Sequence, residues 1–300
     1  RHHYLADSVR GVKSRLRSDA TNAEYTANST SGFDSFDSDG FTLEEDSSSL
    51  GLNESSHNMV AWCWKANGSG SANTDGSIST TATSANTTAG FSINQWDGSD
   101  ADGTLGHGLN VAPRCILIKN QDAAEQWYVY HESMGNGNRM VLNDTSAPSS
   151  AADWWQDTSP TTSVIYLSGV DGINGNNDMI NYCWHEVQGF SKFGTVESNG
   201  NVDGSFCWLG FRAAFIMIKS VDSTSSWQIF DNKREGYNVD NDALVAEATT
   251  AEVTTDYIDI LSNGFKIRTT SDPGVAETYI YMAFAEAPFV NSNGVPCNAR

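Results

Sequence analysis

The sequence predicts an all-β protein built of tandem β-sandwich repeats, of jelly-roll or immunoglobulin-like scale. Two observations carry this. Short apolar–polar alternations, such as Trp127-Tyr128-Val129-Tyr130 and Phe265-Lys266-Ile267, are separated by Gly, Asn, Asp and Ser, as in Ser262-Asn263-Gly264 and Gly135-Asn136-Gly137. A period of two marks half-buried strands, and the separating residues supply turns. The second observation is that the pattern recurs. Ala112-Pro113-Arg114-Cys115-Ile116-Leu117-Ile118-Lys119 is echoed by Ala213-Ala214-Phe215-Ile216-Met217-Ile218-Lys219, and Trp127-Tyr128-Val129-Tyr130-His131 by Trp227-Gln228-Ile229-Phe230-Asp231. Gly90-Phe91-Ser92 returns as Gly189-Phe190-Ser191, and the closing Met179–Trp184 as Tyr279–Phe284. Each copy offers about six or seven short strands in about a hundred residues, the scale of a sandwich domain.

A partial third copy opens the chain. Asp7-Ser8-Val9-Arg10 matches Asp231-Asn232-Lys233-Arg234, Ser38-Asp39-Gly40-Phe41-Thr42-Leu43 matches Ser262-Asn263-Gly264-Phe265-Lys266-Ile267, and Met59–Trp64 is its closing strand. The expected organisation is an incomplete first repeat at 1–65, a Gly/Ser/Thr/Asn-rich linker at 66–89 whose Thr run is also able to pair as an edge strand, a second repeat at 90–188, a third at 189–289 and a tail at 290–300. The second and third repeats join without slack and are expected to dock rigidly. Ile116-Leu117-Ile118 and Phe215-Ile216-Met217-Ile218 read as central strands covered on both faces. Ala243–Ala248 is the best short-helix candidate.

The chain has 300 residues with 17 Lys+Arg against 37 Asp+Glu, a net charge of −20, which lacks the basic footprint nucleic-acid binding requires. Its 9 Trp, 10 Tyr and 13 Phe are enough to build a core, which argues against disorder. No apolar run approaches the length of a membrane-spanning helix, so no membrane insertion is expected, and Arg1-His2-His3-Tyr4 is not followed by the apolar stretch of a signal peptide. The five cysteines, Cys63, Cys115, Cys183, Cys207 and Cys297, are odd in number and show no C-x-x-C spacing, so they read as free, mostly buried thiols. Cys63 and Cys183 are expected at equivalent buried strand positions, with Ala283 in the third copy.

Several segments resemble a known family. Asp7-Ser8-Val9-Arg10-Gly11, Ser35-Phe36-Asp37-Ser38-Asp39-Gly40-Phe41, Ala61-Trp62-Cys63-Trp64-Lys65, Asn73-Thr74-Asp75-Gly76-Ser77-Ile78, Gly106-His107-Gly108-Leu109, Gly189-Phe190-Ser191-Lys192 and Tyr279–Glu286 are similar to a β-repeat domain of tail-fibre and other virion structural proteins of marine bacteriophages. The resemblance spans nearly the whole chain and departs at the first repeat, which lacks its opening strands. It implies a virion surface component, extracellular, touching a host receptor or glycan, and a homo-oligomer, a trimer if a fibre. It brings no catalytic residues.

The residues point the same way. His185-Glu186 has no nucleophile elbow such as G-x-S-x-G beside it, and Gly106-His107-Gly108 reads as a tight turn, so no enzyme is expected. Asp153-Trp154-Trp155-Gln156-Asp157 is the leading ligand-binding candidate, because an exposed Trp beside carboxylates and amides can stack on a sugar; Trp96 and Trp208 are weaker candidates of the same kind. Asp97, Asp100 and Asp102 cluster between glycines and offer oxygens to a Ca²⁺ ion, although the spacing is not that of an EF-hand, no Glu closes the loop, and a solvated turn is the favoured reading. The alternatives are a purely architectural self-assembling subunit and a lectin-like cell-surface adhesin.

The first repeat begins at the equivalent of the Trp227 strand, with His3 aligned to Trp227, and so has no counterpart of the central strand Phe215–Ile218. Its open edge and the faces of Phe33, Phe36, Phe41, Val60 and Trp62 are expected to be completed by residues before Arg1 or by a neighbouring subunit. For the thiols, non-reducing mass spectrometry is expected to find no bridged pair; any intact disulfide overturns that reading.

Overall fold

The computed structural model describes residues 1–26, 32–44, 52–55, 57–234, 238 and 242–287. Nearly all its regular structure is antiparallel β-strand. The largest sheet has the strand order Ser149–Ser150, Asn138–Val141, Tyr128–His131, Cys115–Asn120, Asp178–Trp184, Phe91–Asp97 and Ala82–Asn86. A pair, Gly103–Gly106 with Val164–Leu167, covers one of its faces. Between the layers lie Trp96, Leu105, Ile116, Ile118, Ile165 and Cys183. A second sandwich follows the same plan. Its five-stranded sheet runs Ser191–Glu197, Thr278–Ala285, Ala213–Ser220, Gln228–Asp231, Leu244–Val245, and its three-stranded layer runs Phe206–Trp208, Gly264–Ile267, Ile258–Leu261. Ile216, Ile218, Phe230, Phe265 and Ala283 fill the space between.

The other faces of the two large sheets meet. Leu117, Val129, Tyr182 and Trp184 from one sandwich pack with Phe193, Phe215, Met217 and Phe284 from the other, and Leu5, Leu16, Trp62 and Trp64 of the N-terminal portion complete this shared core. All six residues of Cys115–Asn120 are buried for this reason: Ile116 and Ile118 face the sandwich interior, Cys115 and Leu117 the shared core.

One set of backbone contacts occurs three times. Leu142 N donates to Trp127 O at 2.9 Å, Ala246 N to Trp227 O at 3.0 Å and Ser18 N to His3 O at 3.1 Å. The next side chain accepts in return: Asn143 Oδ1 from Trp127 N at 2.8 Å, Glu247 Oε2 from Trp227 N at 3.1 Å and Asp19 Oδ1 from His3 N at 2.8 Å. Tyr4–Leu5 pairs with Leu16–Arg17 in the register of Tyr128–Val129 with Met140–Val141 and of Gln228–Ile229 with Leu244–Val245. The motif Asp7–Arg10 is also matched atom for atom. Arg10 Nε and Arg234 Nε each donate at 2.7 Å to Asp7 Oδ2 and Asp231 Oδ2, and Glu24 and Glu252 accept from the outer guanidinium nitrogens.

The ring nitrogens then tie the parts into a closed circuit. Trp127 Nε1 donates to Arg17 O at 2.7 Å, Trp227 Nε1 to Val141 O at 2.8 Å, and His3 Nε2 lies 3.0 Å from Ala248 O. A second circuit runs through the closing segments: Tyr182 OH donates to Asp7 Oδ2 at 2.7 Å, Trp62 Nε1 to Asp231 Oδ2 at 3.3 Å, and His131 Nε2 to Tyr281 O at 3.2 Å. At the centre Trp64 meets Trp184 and Phe284 edge-on, with centroids 6.2 and 5.4 Å apart.

Four expectations are corrected. Residues 66–89 are not a free linker: Ala82–Asn86 pairs with Phe91–Asp97, and Ser84 is fully buried, its hydroxyl bonded to Gly68 O. Ala243–Ala248 is not a helix, because Leu244–Val245 is an edge strand whose leucine packs against the shared core. Cys63 is exposed although Cys183 is buried, because Met59–Trp64 runs without ladder partners among the described residues. Finally, the Gly-Phe-Ser match marks a turn, with φ of +66° at Gly90 and +74° at Gly189, and the strand beyond it pairs one residue out of step. Phe91 sits opposite Trp184 but Ser191 opposite Phe284, so Ser191 rather than Phe190 takes the place of Phe91, and Phe193 rather than Lys192 that of Ile93. Cys115, Cys183 and Cys207 are buried free thiols, and residues 290–300, with Cys297, lie outside the described residues.

Two tests follow. Trp184→Ala removes a side chain from the shared core and is expected to cost about 3–5 kcal/mol of stability in urea melts. The second test is pH. Burial lowers His131 and His107 to about 4, and each Nδ1 accepts a backbone N–H, from Ser133 and Leu109. Since the folded values lie below the ordinary histidine value, the unfolded chain takes up protons first. Stability is therefore intact above about pH 6.5 and is lost as pH falls toward about 4, by on the order of 3 kcal/mol per histidine at most. Melting temperatures that stay flat across that window contradict this account.

Candidate functional site

Of the four tryptophans proposed to bind a ligand, one is free to do so. Trp208 is 60% exposed, and Phe206, on the same face of the strand Phe206–Trp208, is 44% exposed, while Cys207 between them points inward. Gly264 lets the neighbouring hairpin close against this strand, since a Cβ there would fall 2.0 Å from Cys207 O. Lys192 Nζ lies 4.1 Å from the centre of the Trp208 ring, a cation–π contact on one face of the indole, and donates to Trp208 O at 3.0 Å. Phe206–Trp208 and Ser191–Glu197 are edge strands of their two sheets. Between them opens a cleft of about 590 Å³ with Thr195, Glu197 and Ser205 along its rim and Cys207 and Tyr281 at its floor. Burial raises the Cys207 thiol to about 11 and raises the Tyr281 phenol as well, so the floor stays neutral and protonated at physiological pH.

The other three tryptophans are occupied. Trp96 is fully buried and donates to Asn174 Oδ1 at 2.8 Å. Trp155 is 2% exposed and donates to Asn138 O at 3.0 Å. Trp154 is half-buried, with the Arg139 guanidinium 3.8 Å from the centre of its ring and Tyr128 packed against it edge-on, centroids 4.6 Å apart. The 3₁₀ turn Ala152–Trp155, in place of a strand, sends both rings to the same sheet.

The aspartates do not assemble a Ca²⁺ site either. Asp100 Oδ1 accepts from Asn176 N at 2.8 Å and Asp102 Oδ1 from Gly169 N at 3.1 Å, while Asp97 lies beside Asp178, whose carboxyl is raised by burial and by Asp122 and Asp97. Among the described residues no three metal-ligating side chains converge. These carboxylates cap loops.

Sequence reasoning missed Phe206 and Lys192. A signal existed: in the matching strand of the earlier sandwich Gly106, opposite Val164, holds the place of Trp208, opposite Gly264, and Thr104 holds that of Phe206. A Cβ at Gly106 would fall 2.0 Å from Asn73 Oδ1, and one at Gly108 3.0 Å from Ala85 and Thr83, because the segment running through Ala82–Asn86 lies over that face. The later sandwich has no such cover among the described residues, and bulky aromatics occupy the open face.

These features define a two-sandwich all-β protein with an aromatic cleft at one open edge. The chain belongs to the family described as "Domain of unknown function (DUF7483)", whose profile matches residues 1–288. No curated protein and no solved structure matched it. Among the described residues no helix is long and apolar enough to cross a membrane.

Proposed function

We propose that the chain is a non-enzymatic virion surface protein, a phage tail-fibre or appendage subunit, and that the Phe206–Trp208 cleft holds a host cell-surface glycan. The observation that carries this is Trp208: a large aromatic plate, 60% exposed with Lys192 against one face, where the other candidate tryptophans are buried or half-buried. A pyranose has one face of C–H groups and a rim of hydroxyls. The indole suits the face, and Thr195, Glu197, Ser205 and Lys192 offer both donors and acceptors to the rim. An indole has only two rotatable bonds, so ordering it on binding costs little entropy. The resemblance to fibre proteins adds the virion setting and a homotrimer, and rests on analogy. An architectural, self-assembling subunit is the second reading, favoured by the exposed apolar side chains of Phe36 at 38% and Met59 at 50%.

On a glycan array the protein is expected to select a small set of host-surface sugars. Trp208→Ala should weaken that binding by about ten- to a hundredfold, the effect of losing a central aromatic anchor, and leave the melting temperature unchanged. Trp208→Phe should keep part of it. Binding that survives Trp208→Ala, or none at all from an intact assembly, counts against the glycan reading. Sedimentation mass distinguishes a trimer from a monomer.

A further inference from the structure

Strand register matches two positions of the sandwiches that carry different side chains. Met140 pairs with Val129 and Leu244 with Ile229, while Val141 and Val245 pair with Tyr128 and Gln228. Arg139 and Ala243, one step earlier in their strands, therefore hold equivalent places, as do Tyr128 and Gln228. In the earlier sandwich a cation fills this place. The Arg139 guanidinium lies 3.8 Å from the centre of the Trp154 ring and 5.1 Å from that of Tyr128. In the later sandwich both large side chains are gone, and a cleft of about 590 Å³ opens with Ala243 and Gln228 in its wall.

The wall has the chemistry of a cation's surroundings. Glu247 and, from the earlier sandwich, Asp144 stand in it, and Val245 and Tyr257 supply an apolar side. Trp227 N donates to Glu247 Oε2 at 3.1 Å, and Ser146 N and Oγ donate to Asp144 Oδ1 at 2.7 and 2.8 Å. Each carboxylate is thereby oriented and keeps its second oxygen for a ligand. The Ser146 hydroxyl and N–H also hold the Asp144 carboxyl below its ordinary range, so it is charged at neutral pH. Lys219, the cation beside this wall, spends its bonds on Thr145 O at 3.0 Å and Ser225 Oγ at 3.1 Å. Gln228 is 6% exposed; its Nε2 donates to Asp272 O at 2.9 Å, and its Oε1 has no partner among the described residues.

We propose that this cleft binds a small organic cation of the alkylguanidinium class, seated where the earlier sandwich carries its own arginine side chain. The planar head presents several N–H donors suited to carboxylates and an amide oxygen, and the alkyl stem suits Val245 and Tyr257. A bare metal ion suits it less. The volume is that of a small-molecule site, and among the described residues no three metal-ligating side chains converge. The site is apart from the Trp208 cleft, and the proposal stands independently of the glycan reading.

The probe is n-butylguanidinium, titrated into the full chain by calorimetry at low salt. Neutral n-butylurea, of the same shape, is the control, and calcium is the competitor. Saturable binding of the cation at millimolar concentration or below is expected, with none of the urea. Glu247→Gln and Asp144→Asn keep the oxygens that accept Trp227 N and Ser146 N, and each is expected to weaken binding by about tenfold. Ala243→Arg returns to the cleft the side chain of the earlier sandwich and is expected to abolish binding; if that variant does not fold, the two carboxylate variants decide. Absence of saturable binding overturns the proposal. So does equal binding of the urea, or binding that both carboxylate variants leave unchanged. Calcium that displaces the guanidinium, and is itself lost in the same variants, also overturns it, assigning the carboxylates to a metal.

Discussion

The structure depends on central strands that are apolar on both faces. A sheet with one wet face needs an apolar residue at every second position. Cys115–Asn120 and Ala213–Ser220 are apolar almost throughout, and only one of their faces is satisfied within their own sandwich. The other face, with Leu117, Phe215 and Met217, finds its cover in the neighbouring sandwich. At roughly 25 cal/mol per Å² of apolar surface, separating the sandwiches would be costly for each. The two therefore behave as one folding body, and the N-terminal portion is drawn into the same core through Leu16, Trp62 and Trp64. Each central strand carries a buried lysine at its penultimate position. Lys119 Nζ donates to Asn120 O and Ala123 O, and Lys219 Nζ to Thr145 O and Ser225 Oγ, with burial lowering both to about 8. These ammonium groups anchor the turn after the strand and stop the apolar run from sliding.

Apolar packing has little directionality, and register comes from the polar circuits. An indole or imidazole N–H has one good direction, and a carbonyl at its end fixes both partners. With Trp127, Trp227 and His3 each reaching the next part of the molecule, no part can rotate without breaking a partly buried hydrogen bond. Histidine serves where the first portion lacks a tryptophan, with a shorter reach and a carbonyl placed further along the chain.

Much of this was legible because it is written locally. The Asp7–Arg10 and Asp231–Arg234 caps are complete within four residues, so similarity of sequence sufficed to pair them, and the structure gives them the same bonds. The all-β class was legible from alternation and turn residues. What was not legible depended on cover brought from far along the chain. Trp154 and Trp155 look exposed beside their aspartates, but Arg139 and Asn138 reach them from another strand. Trp208 looks like Trp96, yet one lies on an open edge and the other beneath a second layer. The Ser/Thr/Asn run before Gly90 resembles a linker because a strand that covers glycines needs no apolar side chains of its own. Ala243–Ala248 has helical composition, and two residues of edge pairing were enough to override it.

The closed circuit also orders the birth of the molecule. His3 bonds a carbonyl 245 residues later in the chain, and Trp62 a carboxylate 169 residues later. On the ribosome His3 and Trp62 emerge before the residues they bond, and they find those contacts only after both sandwiches have been synthesised. Contacts of such separation close slowly, since the intervening chain must be ordered first. Throughout that interval Leu5, Leu16, Trp62 and Trp64 have no finished surface to pack against, and the net charge of −20 on the full chain acts to keep nascent copies apart. The arrangement makes completion of the last strand the event that locks the first.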